Sequence, residues 1–276
     1  MLSAKKSAKH AERDDMKAFT IGGVNRLPEP EKREIYSRLI PNELREKFQL
    51  PANLVGEEGI SLLDLRAAPG TTDVELRLYH RAGFPDPVLY GHLVDTLTGQ
   101  IHVLLYIVND PNSPRFDVDK MPDGSRTNFG ILQRNLAAED AALEAGLAPG
   151  QTHHGLRVLR PAINAFEEFV RSLGQSIYFV EPLYYHNAMI FEHYGFSYQM
   201  GKKLMERIQA GFSNGGELIS RLDGSTPFRK PEAAQSIRLR SWAIHDGLLG
   251  EPFTNVTMYK HVGKEAGIST CPGCPW

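Results

Sequence analysis

Three features of the sequence predict an α+β fold, with a central, mostly antiparallel mixed sheet and helices on both faces. Four strand-like runs lie between residues 60 and 108, joined by short links. An apolar stripe at helical spacing follows, made by Leu156, Leu159, Ile163, Phe166, Val170 and Leu173. Shorter strand and helix patterns then alternate towards the C-terminus. Strands with short links pair antiparallel, because a parallel pair needs a crossover of a dozen or more residues. The length of 276 residues suits one large domain. The expected organisation is a polar arm over 1–18, a single domain over 19–263 with a helical insert at about 200–252, and a tail over 264–276.

Each element has a local reason. Phe19 to Val24 is a short apolar run and predicts a strand. Glu29 to Phe48 predicts a helix in two pieces, because Pro41 interrupts it and Pro28 and Pro30 mark its start. Ile60 to Ala67 is one apolar run. In Asp73 to Arg81, Val74, Leu76, Leu78 and His80 alternate with polar residues, the mark of a half-buried strand. Val88 to Thr96 and Ile101 to Val108 predict a hairpin around Leu97-Thr98-Gly99-Gln100. Residues 111–128 are rich in Pro, Asp, Gly and Ser and predict a loop. Gly130 to Ala145 has helical composition. The 156–173 stripe ends at Gly174, and Pro161 places its helix start near Arg160 or bends it there. Ser176 to Val180 predicts a strand, Tyr184 to Tyr194 a helix, and Phe196 to Tyr198 another strand. Met200, Leu204, Ile208 and Phe212 mark one amphipathic helix, and Ala234, Ile237, Ser241, Ile244 and Leu248 a second. Phe253 to Val262 predicts the last strand.

Composition excludes several classes. Hydrophobic residues make up 41% and charged residues 23%, so the chain can bury a core. The net charge of -2 argues against a strongly basic nucleic-acid binder, and the Lys and Arg residues are scattered among acids. No apolar run reaches the roughly 20 residues that span a bilayer. The N-terminus lacks the apolar region of a secretory signal, so a cytoplasmic location is expected. The expected partner is a small-molecule ligand, with no nucleic acid and no membrane, and a homodimer is compatible with the sequence.

Residues 147–198 carry a series of features in order. A candidate loop, Gly150-Gln151-Thr152-His153-His154-Gly155-Leu156-Arg157, precedes the helical stripe. The strand Ser176 to Val180 follows, then His186-Asn187 at a helix start and Glu192-His193-Tyr194-Gly195-Phe196 at its end. With the preceding strands from Ile60 to Val108, this order resembles the GNAT-type N-acetyltransferases. The resemblance implies acetyl-CoA or another acyl-CoA as cofactor. Its diphosphate would lie on the backbone N–H groups and positive dipole end of a helix start. His154, Gly155, Arg157, Arg160 and Asn187 are the implied cofactor-binding residues. Glu181, at a strand end that borders the acyl group in that family, is the implied general base. Thr152 stands where the family has Gln or Arg, and Arg157 stands where it has a small residue. Arg157 and Arg160 could instead grip phosphate with their guanidinium forks. Phe191 replaces the tyrosine that many members use to protonate the departing thiolate.

Other polar groups bear on metal or acid–base chemistry. A two-residue hairpin loop at Thr98-Gly99 would make Asp95 face His102 and would place His92 and His102 on opposite sheet faces, unable to share an ion. His153 and His154 would line whatever pocket the sheet opens. His186 and His193 stand about 10 Å apart along a helix, too far for one ion, and with Glu192 they fit an exposed polar face. Cys271-Pro272-Gly273-Cys274 can be half a zinc site or a dithiol pair, or a flexible tail with incidental thiols. Zinc would need two further ligands, from His261 or a partner subunit. The leading expectation is a diverged acyl-CoA-dependent N-acyltransferase of unknown acceptor. The alternatives are a non-catalytic small-ligand-binding protein on the same fold, or a metal- or thiol-linked protein that uses Cys271 and Cys274.

Overall fold

The first helix forms where a strand was expected, and one distant carboxylate accounts for it. In the computed structural model, which describes residues 19–127, 130 and 133–276, helix α1 spans Ile21–Val24. The arm expected over 1–18 lies outside the described residues. The Asp95 carboxylate accepts the Ile21 and Gly22 N–H groups, each at 2.8 Å, and Thr20 Oγ1 accepts the Gly23 N–H at 3.0 Å. These acceptors satisfy N–H groups that a helix start leaves without partners. Asp95 therefore does not face His102.

The hairpin loop is also longer than two residues. The Thr96 N–H donates to the Gln100 carbonyl at 2.8 Å, so Leu97, Thr98 and Gly99 form a three-residue loop. Gly99 takes the left-handed conformation that this loop requires, at φ 82°. Counted from that pair, Asp95 opposes Ile101, and His92 and His102 share one sheet face. Burial of Leu93, Ile101 and Val103 agrees with this register.

Seven strands form one open, mixed, mostly antiparallel sheet, and with its helices the fold is α+β as the sequence predicts. They are β1 (Leu63–Arg66), β2 (Asp73–Leu78), β3 (Leu89–Asp95), β4 (Ile101–Val108), β5 (Ile177–Val180), β6 (Ser197–Met200) and β7 (Thr257–His261), in the order β1-β2-β3-β4-β5-β7-β6. Strand β2 buries Val74, Leu76 and Leu78, as its alternation predicts. Gly91 of β3 opposes Leu76, and a Cβ there would sit 2.5 Å from the Leu76 Cδ2 atom. That close approach explains a glycine in mid-strand.

The chain divides into two compact units. The first holds residues up to Phe84, Leu89–Ile107 and Val158–Tyr178. Helices α2 (Glu29–Ser37) and α3 (Asn42–Lys47) are the two pieces separated at Pro41. Tyr36 is fully buried and donates to Asn25 Oδ1 at 2.6 Å. Asn25 in turn donates to the Asp73 carbonyl at 2.8 Å, tying the α1–α2 segment to β2. Two further helices precede β5. Helix α4 spans Leu136–Glu144 and belongs to the second unit, and α5 spans Leu159–Ser172 in the first. Pro161 is the third residue of α5, where its missing N–H breaks no helical bond. Of the predicted stripe, Phe166, Val170 and Leu173 are buried and Leu159 and Ile163 half-buried, with the Phe166 ring 4.9 Å from Tyr178; Phe169, outside that stripe, is also buried, its ring 6.0 Å from Tyr36.

The second unit holds Pro85–Val88, Val108–Arg157 and Phe179–Trp276. Helix α4 starts six residues later than Gly130, capped by Asn135 Oδ1, which accepts the Ala138 N–H. Helices α6 (Tyr185–His193), α7 (Lys202–Gly211), α8 (Glu217–Ser220) and α9 (Ile237–His245) follow. Val118, Ala142, Leu147, Phe228 and Trp242 form a buried apolar cluster. Trp242 stacks on Phe228 at 5.1 Å, and its indole N–H donates to the Leu147 carbonyl at 2.8 Å.

The α5 stripe gives a direct expectation. Phe166→Ala should lower unfolding free energy by about 3–5 kcal/mol, the usual loss for a buried phenylalanine. Denaturant unfolding measures it, and a loss below about 1 kcal/mol would show that Phe166 does not hold α5 in place.

Candidate functional site

A connected chain of polar side chains lies beside the apolar cluster of the second unit. Ala142 and Glu139 are three residues apart on α4, and Trp242 and His245 are three apart on α9. Residues at that spacing share a helix face. Each helix thus presents one residue to the apolar cluster and, one turn away, a polar residue to its neighbour. His245 Nε2 lies 3.1 Å from Glu139 Oε1. The other carboxylate oxygen of Glu139 accepts from Arg134 Nε at 2.9 Å. Arg134 Nη1 donates to Asp246 Oδ1 at 2.7 Å, and Asp246 Oδ2 accepts from Arg229 Nε and Thr226 Oγ1, each at 2.8 Å.

Two guanidinium groups and two carboxylates balance in this chain. Buried charges persist when they are paired and hydrogen-bonded in this way. Glu139 also lies in the first turn of α4, where the helix dipole favours negative charge. Burial alone would raise its pKa, but hydrogen bonds from His245 and Arg134 outweigh it and hold the carboxyl below the usual range. An ionised carboxylate only accepts, so His245 Nε2 carries the proton of that bond and, in the neutral ring, Nδ1 carries the lone pair.

Tyr184 completes the cluster. Its ring meets His245 edge-on at 5.5 Å and stacks on His186 at 5.6 Å. Burial, and then the negative charge of Glu139, raise its phenol pKa, so the hydroxyl stays protonated. Gly150 lets the loop reach this ring. It has φ 78°, and a Cβ would fall 2.7 Å from the Tyr184 hydroxyl oxygen. Val118, Asp119, Glu139, Gly150, Tyr184 and His245 line a crevice too narrow to hold a water molecule.

His186 and Ser241 imitate a nucleophile pair but have the wrong polarity. His186 Nδ1 is 2.9 Å from Ser241 Oγ. Asn187 Oδ1 accepts the Tyr184 N–H at 3.2 Å, which turns its Nδ2 towards His186 Nε2 at 3.1 Å. Nε2 therefore accepts, Nδ1 donates, and Ser241 receives a proton donor instead of a base. Burial, aided by His245, lowers the His186 pKa to about 3, so the ring is neutral.

The residues singled out in the sequence fall in several places. His154, Gly155 and Arg157 are exposed in the second unit, and Arg160 is exposed on α5 of the first. Arg157 holds a left-handed backbone, φ 57°. A Cβ on Gly155 would meet nothing nearer than the Val108 carbonyl at 3.8 Å, so packing there does not demand glycine. Glu181 is exposed just past β5. Asn187 is engaged at both ends of its amide. His153, unlike His154, is buried, with Nε2 3.2 Å from Asp86 Oδ2. Burial of Asp86 is outweighed by its bonds from His153 and Arg115, and its pKa is lowered.

Two expectations are corrected. The exposed polar face over 186–193 does not exist, because His186 and Glu192 are buried and only His193 is exposed. Glu192 accepts from Tyr198 at 2.6 Å and from the Thr270 N–H at 2.8 Å. Nor is the C-terminal tail loose. The Ile237 N–H donates to the Pro275 carbonyl at 2.9 Å, and Cys271 is buried. Cys271 and Cys274 are joined as a disulfide, which offers no thiolate to zinc, and the described residues contain no group of three or more His, Cys, Asp or Glu that could hold a metal. Arg134, Glu139, Tyr184, His245 and Asp246 were not found from the sequence. Glu139 lies in Leu-Ala-Ala-Glu-Asp-Ala-Ala, where nothing local separates a buried acid from the solvated Asp or Glu beside it. No family model, curated protein or solved structure matches this chain.

The low pKa of Glu139 sets a pH dependence. A carboxyl depressed on folding stabilises the protein above its unfolded value, near 4.3, and that stability is lost as pH falls through the folded value. Glu139→Gln should cost about 3 kcal/mol at pH 7, the scale of breaking a buried pair. The gap to wild type should narrow below about pH 4.3. Denaturant unfolding across pH 3–7 checks it, and a gap that does not change with pH would contradict an ionised Glu139.

Proposed function

We propose that the protein is a diverged acyl-CoA-dependent N-acyltransferase in which His245, held by Glu139, accepts the proton of the acceptor amine. The observation that carries this reading is the His245–Glu139 pair at 3.1 Å, set in a charge-balanced, partly buried chain beside a protonated tyrosine. Acyl transfer from a thioester to an amine moves two protons. One leaves the amine as it attacks, and one goes to the departing thiolate. In the neutral ring, Glu139 fixes the proton on Nε2 and leaves the Nδ1 lone pair as base. Tyr184 has the protonated hydroxyl that the position of Phe191 cannot supply. The order β1–β4, α5, β5, α6 with Asn187, Gly195-Phe196 and β6 supports the reading as the order that the resemblance implies, and α4, which carries Glu139, is an addition between β4 and α5. His154, Gly155 and Arg157, exposed in one loop, are the groups offered to the cofactor's phosphates. Access requires Tyr184 and the Gly150 loop to part.

The exposed loop that carries His154, Gly155 and Arg157 also suits a second reading, a protein that binds a small ligand on this fold without chemistry. Calorimetric titration with acetyl-CoA separates the two, together with chromatographic measurement of CoA released in the presence of primary amines. The acyltransferase reading expects binding that weakens about tenfold in Arg157→Ala, the worth of one charged contact. It also expects amine-dependent CoA release that falls at least about 100-fold in His245→Gln, with binding retained. Binding without release in any protein would leave the binding role. No binding at millimolar acetyl-CoA to wild type or Arg157→Ala would overturn the acyltransferase reading.

A further inference from the structure

The C-terminal Cys271-Pro272-Gly273-Cys274 segment presents a second chemical site, independent of the His245 cluster. Gly273, at φ 77°, turns the chain back, and the Cys274 N–H donates to the Cys271 carbonyl at 3.3 Å. The two sulfurs are bonded to each other. Their surroundings differ. Cys271 is 4% exposed, whereas Cys274 is partly exposed between the exposed residues Gly273 and Pro275.

A buried cation lies against the pair. Arg240 of α9 is 7% exposed, and its Nη1 sits 3.2 Å from Cys271 Sγ and 3.5 Å from Cys274 Sγ. It also donates to two neutral acceptors, the Ala234 carbonyl at 2.9 Å and Gln209 Oε1 at 2.8 Å, and its charge acts on the Tyr185 phenol. Its guanidinium also lies over the Phe212 ring at 4.9 Å. Among the described residues no carboxylate pairs with it. A buried guanidinium without a counter-ion is unfavourable, and a thiolate at Cys271 would supply the missing negative charge.

We propose that Cys271–Cys274 is a thiol–disulfide exchange site that reacts with small thiols at Cys274 and releases Cys271 as the leaving sulfur. A thiolate of the reductant attacks Cys274 Sγ and forms a mixed disulfide. The electron pair of the broken S–S bond departs on Cys271 Sγ, next to Arg240. A second reductant thiolate then attacks the reductant's sulfur in the mixed disulfide, forms the reductant's own disulfide and releases the Cys274 thiolate. Two electrons pass from two small thiols to the cysteine pair, and the two thiol protons are taken up by the cysteines or by buffer. Exchange is faster when the leaving sulfur is stabilised as a thiolate and when the attacked sulfur is accessible. Arg240 provides the first condition and the exposure of Cys274 the second.

Glutathione is the probe. Native protein is mixed with reduced glutathione near pH 7, quenched with acid and mapped by peptide mass spectrometry. The glutathione adduct is expected on Cys274. In single-cysteine proteins treated with oxidised glutathione, the thiol of Cys271→Ser should react at least about tenfold faster than that of Cys274→Ser, because access controls thiol reactivity. Arg240→Met should slow reduction of the intact disulfide about tenfold, while Arg240→Lys keeps most of the rate. Circular dichroism checks that the variants fold, and the adduct mapping and single-cysteine comparison stand without the arginine variants. An adduct on Cys271, equal reactivity of the two single-cysteine proteins, an unchanged rate in folded Arg240→Met, or a disulfide that resists glutathione until the protein is denatured would each overturn the proposal.

Discussion

The carboxylate of Glu139 is the group on which the second unit's polar interior depends. A buried carboxylate is tolerated only when its oxygens are filled by charged or strong donors. Arg134 fills one oxygen and His245 the other, so α4 and α9 are fixed to each other at the turn next to the Trp242 cluster. Arg134 then reaches Asp246, and Asp246 reaches Arg229 and Thr226. Removal of one link leaves the next charge with one partner fewer. The apolar cluster supplies burial, but it has no direction. The charge chain supplies the direction, and it sets which nitrogen of His245 carries a proton.

Much of the first unit was legible in the sequence because its causes are local. The alternation in 73–78 is a property of the pleat, the 159–173 stripe is a property of the helix repeat, and Pro41 breaks a helix wherever it stands. The failures share a different origin. Asp95 caps α1 from more than seventy residues away. Without that acceptor, the apolar run Phe19 to Val24 has the composition of a strand. The hairpin register turned on one residue of loop length, and that residue decided which face His92 and His102 share. In the second unit the sequence placed α6 correctly but not its burial. Glu192 goes inside because Tyr198 and Thr270 give it donors, and Thr270 comes from a tail with no periodic pattern.

Arg240 follows the same electrostatic rule with the opposite sign. Glu139 is a buried anion whose partners are cations, whereas Arg240 is a buried cation whose neighbours are amide oxygens and two sulfurs. The first arrangement is complete as it stands and gives a fixed, oriented imidazole. The second is incomplete while the sulfurs are bonded and neutral, and becomes balanced when one of them carries charge. Residues of similar burial therefore differ in what they can do, and the difference is set by the charge of what surrounds them.

The central claim is that Glu139 and its partners act as one unit. A double-mutant cycle between Glu139→Gln and Arg134→Met, read by equilibrium unfolding at neutral pH, measures that directly. The account predicts a coupling energy of about 2 kcal/mol or more, in the range found for contacting residues of one network. Effects that add to within about 0.5 kcal/mol, as for independent sites, would contradict it.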